Sequence, residues 1–458
     1  MAGVGFILRK LSRQDNLIGI SQAYAFSALA STGPWLFTVV SLGVVVALAK
    51  GFLSFDHLYT FKLIITYNFA ISLVLSGPVF IIATRFIANH LFEKKTDEVP
   101  GMLFTCLTII YFIQIIFAGM LYIGYADLPL SLAMSAVANF AIISGIWLLS
   151  AFFTALKDYK ATTSAFTTGL SISVIMAVLL SDSFSTIGML NGFTIGLGYI
   201  LGTMLARIFA EYPYHFQSPF AILPYFKKYW DLALGGFIYN LAIWIDKWIM
   251  WCAPNAERHS SGLITNPNYD SGMFLAYLTI VPAMAIFVFR VETDFYEHYL
   301  RFYRDILNKA TFSKIKQNHA ALVKCITSGI KTFLIIQGWI CLIAILTAPQ
   351  LIEVLHIPNL QISIFRYGVL GVFYQMFMIF LFILLSYFDN RKAALYLQLL
   401  FLITNAGFTI ISLELGFEYY GAGYFMASLV TCVVASIYTA NYVAKLPYHS
   451  FITTNTSV

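Results

Sequence analysis

Residues 244–251 read Trp244-Ile245-Asp246-Lys247-Trp248-Ile249-Met250-Trp251 and lie inside an apolar run long enough to cross a membrane. The stretch places a carboxylate beside an ammonium group, with indole rings around them. A charged side chain at the centre of a bilayer helix costs roughly 2.5–3.5 kcal/mol on insertion scales, so such residues usually face a bundle interior or a watery cavity. The pattern therefore predicts a membrane helix with at least one face turned away from lipid.

This stretch has two interpretations. Side chains of sequence neighbours point about 100° apart on a helix, so Lys247 shares a face with Asn240 and Trp244. As an interfacial anchor, Trp and Lys side chains would lie at the headgroup level. As a substrate pathway, the helix would line a cavity near its outer mouth. The predicted pathway residues are Asp246, Lys247, Trp244, Trp248, Trp251, Tyr239 and Asn240.

Composition places the whole chain in a membrane. Of its 458 residues, 60% are hydrophobic and 10% are charged, and the mean hydropathy is +0.80. Soluble domains carry about 25% charged residues. The net charge of +6 fits cytoplasmic loops better than a nucleic-acid surface. The cysteines are odd in number and scattered, which favours small core residues over disulfides or metal ligands: Cys106, Cys252, Cys325, Cys341 and Cys432.

Twelve apolar runs are long enough to span, since about 20 mainly apolar residues cross a bilayer as a helix. They predict an all-α integral membrane protein of two six-helix bundles. The runs cover residues 20–49, 60–88, 101–124, 129–155, 163–181, 187–210, 230–252, 271–290, 321–347, 362–386, 393–413 and 421–444. The predicted domains are an interfacial amphipathic segment at 1–19, a first bundle at 20–210, a proline-containing cytoplasmic linker at 211–229, a second bundle at 230–445 and a tail at 446–458.

The basic residues predict the orientation of the chain. With the amino end inside, 22 of the 27 lysines and arginines fall in the inner segments. Because cytoplasmic loops carry an excess of Lys and Arg, both termini are expected in the cytoplasm. The same rule places the 254–270 loop outside and the 292–316 loop inside.

Glycine and proline recur at comparable places in the two halves. Gly33-Pro34 and Gly77-Pro78 lie within the first two runs, and Pro282 lies in the eighth. Breakers at matching positions point to an internal repeat with a binding site between its halves, although Gly and Pro are also common in membrane helices. We predict helix breaks near the midplane at Gly33, Pro34, Gly77, Pro78 and Pro282.

Two further patterns have a structural or docking interpretation. Gly192-x-x-x-Gly196 and Gly198-x-x-x-Gly202 predict close helix packing. The longest inner loop is basic and aromatic, with apolar positions near helical spacing, so part of it is expected along the inner surface. Its basic residues are predicted to dock a partner or anionic lipid: Arg301, Arg304, Lys309, Lys314 and Lys316.

The sequence contains no common signature of catalysis. It has no nucleotide-binding GxxxxGK[ST] loop, no HExxH zinc pair and no GxSxG nucleophile elbow. Its eight histidines make no metal-ligand spacing, so no enzyme activity, metal or cofactor is predicted. Helices in two halves with midplane breakers instead describe a secondary-transporter scaffold. The high aromatic content, 17% Phe, Trp and Tyr, suits sugars as well as packing and interfacial belts.

Several stretches resemble the PelG family of inner-membrane Pel exopolysaccharide exporters. These are the amino end from Met1 to Lys10, Ser31-Thr-Gly33-Pro34-Trp35, Ile245-Asp246-Lys247-Trp248, Glu292-Thr-Asp294-Phe-Tyr-Glu297 and Arg301-Phe-Tyr303. They extend from residue 1 into the second half, and the resemblance covers essentially the whole chain. None of the stretches alone would suffice.

The resemblance implies membership of the multidrug/oligosaccharidyl-lipid/polysaccharide exporter superfamily, with two six-helix bundles around a cavity. It implies a polymer rich in amino sugars and partly cationic, which Asp246 would meet while indoles stack on sugar rings. It also implies partners: a cytoplasmic glycosyltransferase, a cyclic-di-GMP receptor membrane protein and a further small membrane protein.

Alternative functions are a lipid-linked oligosaccharide flippase, an ion-coupled drug antiporter, a non-transporting scaffold for a synthase and an enzyme acting on lipid-linked substrates. The antiporter is disfavoured because ion coupling usually needs intramembrane acids, and Asp246 is the one acid well inside a run.

Overall fold

The computed structural model describes residues 17–156, 159–213, 218–290, 294–355, 358 and 361–452, and these are almost entirely helical. The predicted amphipathic segment at 1–19 therefore lies mostly outside the described residues. The chain forms two compact units. The first, here the N-unit, comprises Gly33–Pro267, and the second, the C-unit, comprises Met1–Thr32 together with Asn268–Val458.

The division differs from the predicted domains in two places. The helix that carries Asp246 belongs to the N-unit, although its sequence position suggested the second bundle. Helix α1 (Leu17–Ala49) is shared, because the division falls between Thr32 and Gly33. The second division follows Pro267 rather than the proline-containing segment at 211–229. Sequence order alone could not show this, since helix packing and not chain continuity decides which unit a helix joins.

The N-unit is built around α2 (Phe55–Glu93), which packs against α4 and α7. Its other elements are α3 (Val99–Gly119) with a π-helical turn at Met120–Tyr125, α4 (Leu130–Leu156), α5 (Tyr159–Glu211), a 3-10 turn at Pro219–Ile222, the short α6 (Leu223–Lys228), α7 (Trp230–Met250) and a two-stranded hairpin, β1 (Glu257–Arg258) and β2 (Ile264–Thr265). The hairpin is antiparallel, with Glu257 opposite Thr265.

Helix α5 is a helical hairpin rather than a single rod. Ser185 interrupts it with φ 50° and ψ −131°, outside the helical region. A Cβ atom on Gly192 would lie 2.4 Å from the backbone of Met176, and one on Gly196 would lie 2.3 Å from the Gly169 carbonyl oxygen. As the second arm continues from Gly192 to Gly196, its contacts on the first arm move back from Met176 to Gly169. The two arms therefore pack antiparallel. The close packing predicted for Gly192 and Gly196 is confirmed. The close packing predicted for Gly198 and Gly202 is wrong, since a Cβ atom on Gly198 would have only an ordinary 3.8 Å contact and nothing lies within 4 Å of one on Gly202. The prediction of two runs on either side of 182–186 agrees with the turn at Ser185.

The predicted helix breaks at two of the three prolines are wrong. Helix α1 continues through Gly33 and Pro34, and α2 continues through Gly77 and Pro78. A proline removes one i→i−4 hydrogen bond, but neighbouring helices and local adjustments re-satisfy freed backbone groups in membrane helices. Near Pro282 the helix is interrupted. Helix α8 (Pro267–Tyr277) ends five residues before this proline, and α9 (Ile280–Arg290) begins two residues before it. Proline is tolerated there because the first turn has no intrahelical acceptor for its missing N–H.

The C-unit contains the remaining helices, and within it α13 and α14 pack against α15. After α8 and α9 they are α10 (Tyr296–Leu307), α11 (Phe312–Leu346), α12 (Ala348–Val354), α13 (Gln361–Tyr387), α14 (Arg391–Leu415), α15 (Ala422–Ala444) and α16 (Leu446–Ile452). The predicted helix within the basic inner loop is confirmed as α10, which buries Phe302 and exposes Leu307.

Ten helical segments among the described residues are long and apolar enough to cross a membrane, by length and composition alone. One of them is the α5 hairpin, Ala161–Glu211. Helix α7 is not among the ten, although it has 21 residues. It carries Asp231, Asp246 and Lys247, which lower its hydropathy.

Candidate substrate-pathway site

Helix α7 is fixed in the N-unit by a glycine contact with α2. A Cβ atom on Gly77 would lie 2.6 Å from the Gly236 carbonyl oxygen, and one on Gly236 would lie 2.8 Å from the Gly77 carbonyl oxygen. The two backbones therefore touch directly, as small residues permit in membrane helix pairs. One turn further, Asn240 Nδ2 donates to the Leu73 carbonyl at 3.3 Å. The Gly77-Pro78 pair thus serves a helix crossing, not the predicted break.

Two helical turns beyond Asn240, Asp246 and Lys247 form a buried ion pair. Lys247 Nζ lies 3.1 Å from Asp246 Oδ1 and 3.0 Å from Oδ2, and it also donates to the Ile243 carbonyl at 3.1 Å. The Asp246 side chain is fully buried, and Lys247 is also buried. The Lys247 side chain bends back along its own helix to reach the neighbouring carboxylate. The pair therefore meets neither the lipid interface nor open water in this state.

The indoles around the pair have different surroundings. Lys247 Nζ lies 5.9 Å from the centroid of the Trp244 ring, a cation–π distance. The Trp251 ring stacks on Tyr67 with centroids 4.6 Å apart and planes at 18°. Trp248 packs against the hydrophobic core of the N-unit, and its buried Nε1 donor has no hydrogen-bond partner among the described residues. Trp251 and Trp248 are thus mainly core residues, whereas Trp244 contacts the charge.

The structure brings some predicted pathway residues together and separates others. Asp246, Lys247 and Trp244 form one cluster. Asn240 lies on the α2 crossing, and Tyr239 is partly buried with an enclosed hydroxyl group. The remaining predicted break, Pro282, lies in the C-unit.

A buried polar network in the N-unit was missed by the sequence reasoning. The Tyr122 hydroxyl donates to Asn68 Oδ1 at 2.6 Å, Asn68 Nδ2 donates to Asn139 Oδ1 at 2.8 Å, and Asn139 Nδ2 donates to Thr194 Oγ1 at 2.8 Å. Tyr122, Asn68 and Asn139 have no exposed surface. In the sequence these residues are amide or phenol side chains within apolar runs. Such side chains indicate a functional site less strongly than a charged residue does. Because every link is satisfied, the network ties α2 to α4, α5 and the turn after α3.

A second polar cluster joins α2 to neighbouring helices nearer the glycine crossing. Gln114 Nε2 donates to Ser76 Oγ at 2.6 Å, and Trp147 Nε1 donates to Ser72 Oγ at 3.1 Å. Ser144 donates to the Gln114 amide oxygen. Both clusters lie on α2, the helix that α7 crosses. The polar interior of the N-unit therefore extends beyond the Asp246–Lys247 ion pair.

The 254–270 loop folds against the ends of the N-unit helices. His259 Nε2 lies 3.0 Å from Asp56 Oδ1, and Arg258 Nη2 lies 3.5 Å from Asp127 Oδ2. Asn266 Nδ2 donates to the Met250 carbonyl at 3.1 Å, at the end of α7. Asn266 directly precedes α8, which begins at Pro267.

The predicted docking residues lie on α10, in the turn that follows it and at the start of α11. All five side chains are exposed. Arg301 pairs with Glu297, and Lys314 lies 3.7 Å from Asp305. Arg304, Lys309 and Lys316 make no ion pair with any described residue. The cluster therefore keeps most of its positive charge available to a partner.

Two tyrosines outside the spanning segments have displaced pKa values. Burial, with the nearby phenol of Tyr299, raises the pKa of Tyr303. At Tyr229 burial would raise the pKa, but hydrogen bonds from Asn89 and Arg85 and the charges of Arg85 and Lys228 outweigh it and lower the pKa. Neither ring belongs to the candidate pathway. No group of three His, Cys, Asp or Glu side chains able to hold a metal occurs in the described part of the chain.

The fold is similar to that of solved membrane transporters. An outward-facing multidrug resistance MATE family transporter of the MOP superfamily has a TM-score of 0.65 at 15% identity, covering 92% of this chain and 96% of that chain. A MOP superfamily transporter from Pyrococcus furiosus has a TM-score of 0.66 at 13% identity, covering 92% and 96%. A MATE transporter in the bent conformation has a TM-score of 0.66 at 13% identity, covering 98% and 99%. At these identities the likeness establishes the fold alone.

The sequence then gives the family. A family model described as "Putative exopolysaccharide Exporter (EPS-E)" matches residues 1–451. The chain belongs to this PelG family, as its motifs indicated. No curated protein matches the chain. It is therefore a multi-pass membrane protein with a transporter fold in an exporter family.

Proposed function

We propose that this protein exports a Pel-type polysaccharide, rich in amino sugars, from the cytoplasm to the periplasm across the bacterial inner membrane, and so contributes to a biofilm matrix. The observation that carries the proposal is the PelG family match over residues 1–451. The MATE-like fold supports transport over catalysis. The Pel-type substrate is inferred from the family.

The proposed topology has twelve spans with both termini in the cytoplasm. Support comes from the ten candidate segments, the hairpin turn at Ser185 that divides one of them, and the 21-residue helix α7. An even number of spans agrees with the positive-inside rule. The two units, Gly33–Pro267 and the remainder, are the proposed counterparts of the two bundles, with α7 in the first unit and α1 divided between them.

The proposed pathway contact is an exchange of ammonium groups at Asp246. In the described state the carboxylate is held by the Lys247 ammonium, with Trp244 beside it. A cationic amino sugar carries the same group as Lys247. We therefore propose that a protonated amino sugar takes the place of Lys247 Nζ during export, so that the carboxylate stays paired. A buried carboxylate left without a partner is strongly unfavourable.

The proposed partners are a cytoplasmic glycosyltransferase that makes the polymer, a cyclic-di-GMP receptor membrane protein and a further small membrane protein. The exposed basic residues of α10 and α11 are the proposed docking surface. Such clusters also attract anionic lipid, at about 1 kcal/mol per basic residue.

The test compares cells lacking this protein with cells in which it is restored. Polymer outside the cells, and polymer retained inside spheroplasts, are measured with an amino-sugar-specific assay. We expect loss of the protein to abolish external polymer while polymer accumulates inside. Accumulation of a lipid-linked oligosaccharide would instead identify a flippase, and unchanged external polymer would contradict export.

A further inference from the structure

The C-unit contains a cavity of about 280 Å³ that no proposed pathway residue lines. It lies where α9 ends, α10 begins and α11 passes, with Phe380 of α13 as one wall. Its polar lining among the described residues consists of Arg290, Asp294, His298, Lys324 and Ser328, and Cys325 adds a thiol. A cavity of this size, just under the roughly 300–1,000 Å³ of typical ligand pockets, admits a single headgroup-sized molecule.

Arg290 is incompletely paired within this cavity. Its Nη1 atom lies 2.9 Å from Asp294 Oδ2, and Nη2 donates to Thr332 Oγ1 at 3.4 Å. The buried Nε donor has no hydrogen-bond partner among the described residues. An enclosed donor without an acceptor costs free energy. Nε itself has almost no accessible surface, but each Nη carries a second N–H and the side chain is 33% exposed, so these N–H groups are available to an oxygen of a bound anion.

The charges of the cavity favour an anion. Among the described lining residues, Arg290 and Lys324 are positive and Asp294 is negative, so their formal net charge is positive. His298 Nδ1 lies 2.8 Å from the Asp294 carbonyl oxygen, and since a carbonyl only accepts, Nδ1 carries the hydrogen. A planar guanidinium beside a lysine is the usual arrangement for holding phosphate.

We propose that this cavity binds a phosphate group, as carried by the headgroup of an anionic phospholipid or by a small soluble phosphate compound. The Nη atoms of Arg290 and Lys324 Nζ donate to the phosphate oxygens. The apolar wall of Phe380 and Ile326 accommodates the carbon skeleton that carries the phosphate. Basic pockets between membrane helices on the cytoplasmic side bind such lipid headgroups. The lipid source rests on the proposed topology, which places this end of α9 in the cytoplasm.

Cys325 provides a direct test, because its thiol lines the cavity. The purified full-length protein carries Cys252→Ser, which removes the exposed cysteine. Labelling of Cys325 by a small maleimide is timed with phosphatidylglycerol, phosphatidylcholine or inorganic phosphate present. At about ten times its dissociation constant, a bound phosphate group should slow labelling about tenfold, since the reagent reaches only the empty fraction.

The outcomes separate the two sources. Protection by phosphatidylglycerol alone supports a lipid headgroup, and protection by inorganic phosphate as well supports a soluble phosphate compound. Lys324→Gln should remove the protection, whereas Lys331→Gln, an exposed lysine on the same helix outside the cavity, should retain it. No labelling of Cys325, equal protection by phosphatidylcholine, or protection that survives Lys324→Gln would overturn the proposal. The measurement needs no export, so it is independent of the proposed function.

Discussion

At the scale of single residues, Asp246 and Lys247 show how burial changes the meaning of a charge. Sequence placed them on separate faces because neighbouring side chains diverge by about 100° on a helix. The Lys247 side chain is long enough to bend back towards its neighbour, and its Nζ reaches both carboxylate oxygens of Asp246. The charges thus neutralise each other inside the N-unit. Burial of the Lys247 side chain favours the substrate-pathway interpretation over the interfacial anchor.

We predict that breaking the pair destabilises the protein more than removing it. Asp246→Asn or Lys247→Gln leaves one buried charge and should cost about 3–5 kcal/mol, whereas the double variant Asp246→Asn with Lys247→Met should recover most of this loss. Thermal unfolding of the purified variants measures the effect. Additive losses in the double variant would show that the two residues do not interact.

Export by the double variant Asp246→Asn with Lys247→Met distinguishes a structural role of the ion pair from a role in transport. If Asp246 meets the polymer, a stable double variant should still export poorly per unit of inserted protein. Wild-type export from the stable double variant would limit the pair to a structural role.

Gly77 carries a second residue-scale prediction. Gly77→Ala places a methyl group 2.6 Å from the Gly236 carbonyl oxygen, and overpacking of this kind costs typically about 1–3 kcal/mol. Gly43→Ala is the control, because nothing lies within 4 Å of a Cβ atom there. The unfolding temperature should fall for Gly77→Ala and stay level or rise for Gly43→Ala. Equal behaviour of the two variants would contradict the close crossing.

At the scale of elements, Pro34 and Pro349 occupy contrasting helix positions. Pro34 lies inside α1, where it removes one backbone hydrogen bond, while Pro349 lies in the first turn of α12, where no bond is lost. Pro34→Ala should leave stability unchanged or raise it by at most about 3 kcal/mol, and should reduce export if the interrupted hydrogen-bond ladder matters for transport. Pro349→Ala should change neither. Full export by Pro34→Ala would make this proline a packing feature.

The basic surface of α10 and α11 predicts partner docking. Replacing its five charged residues with glutamine should weaken co-purification with the glycosyltransferase, since each basic residue near a charged surface contributes about 1 kcal/mol. The control replaces Lys94 and Lys95, which are exposed at the end of α2. If both variants co-purify equally well with the glycosyltransferase, the surface serves only membrane orientation. The replaced residues are Arg301, Arg304, Lys309, Lys314 and Lys316.

Secondary-structure elements were predictable where local composition determines them. The length of the apolar runs predicted the spanning helices, and the helical spacing of apolar residues predicted α10 (Tyr296–Leu307). The continuity of α1 and α2 through their prolines was not predictable, because it depends on neighbouring helices. The Gly77–Gly236 contact and the Tyr122 network needed knowledge of which helices pack together. Which helices pack together cannot be deduced from one sequence alone.

At the scale of the whole molecule, topology gives the clearest prediction. In a Cys252→Ser background, Glu257→Cys should react with an impermeant thiol reagent added to spheroplasts, and Ser313→Cys should react only after the membrane is opened. Both native residues are exposed. The positive-inside rule is the reason for this expectation. Reaction of Ser313→Cys in closed spheroplasts would reverse the orientation.

The crossing of α2 and α7 has a consequence for biosynthesis. Leu73 and its partner Asn240 are 167 residues apart, and ribosomes add about 5–20 residues per second. Helix α2 therefore leaves the ribosome roughly 10–30 s before the helix that covers its glycine face. During that interval Gly77 and the nearby serines must be shielded by lipid, by α3 and α4, or by the insertion machinery. Completion of the N-unit is thus set by the arrival of α7, and slow translation just before residue 230 would prolong the exposed state.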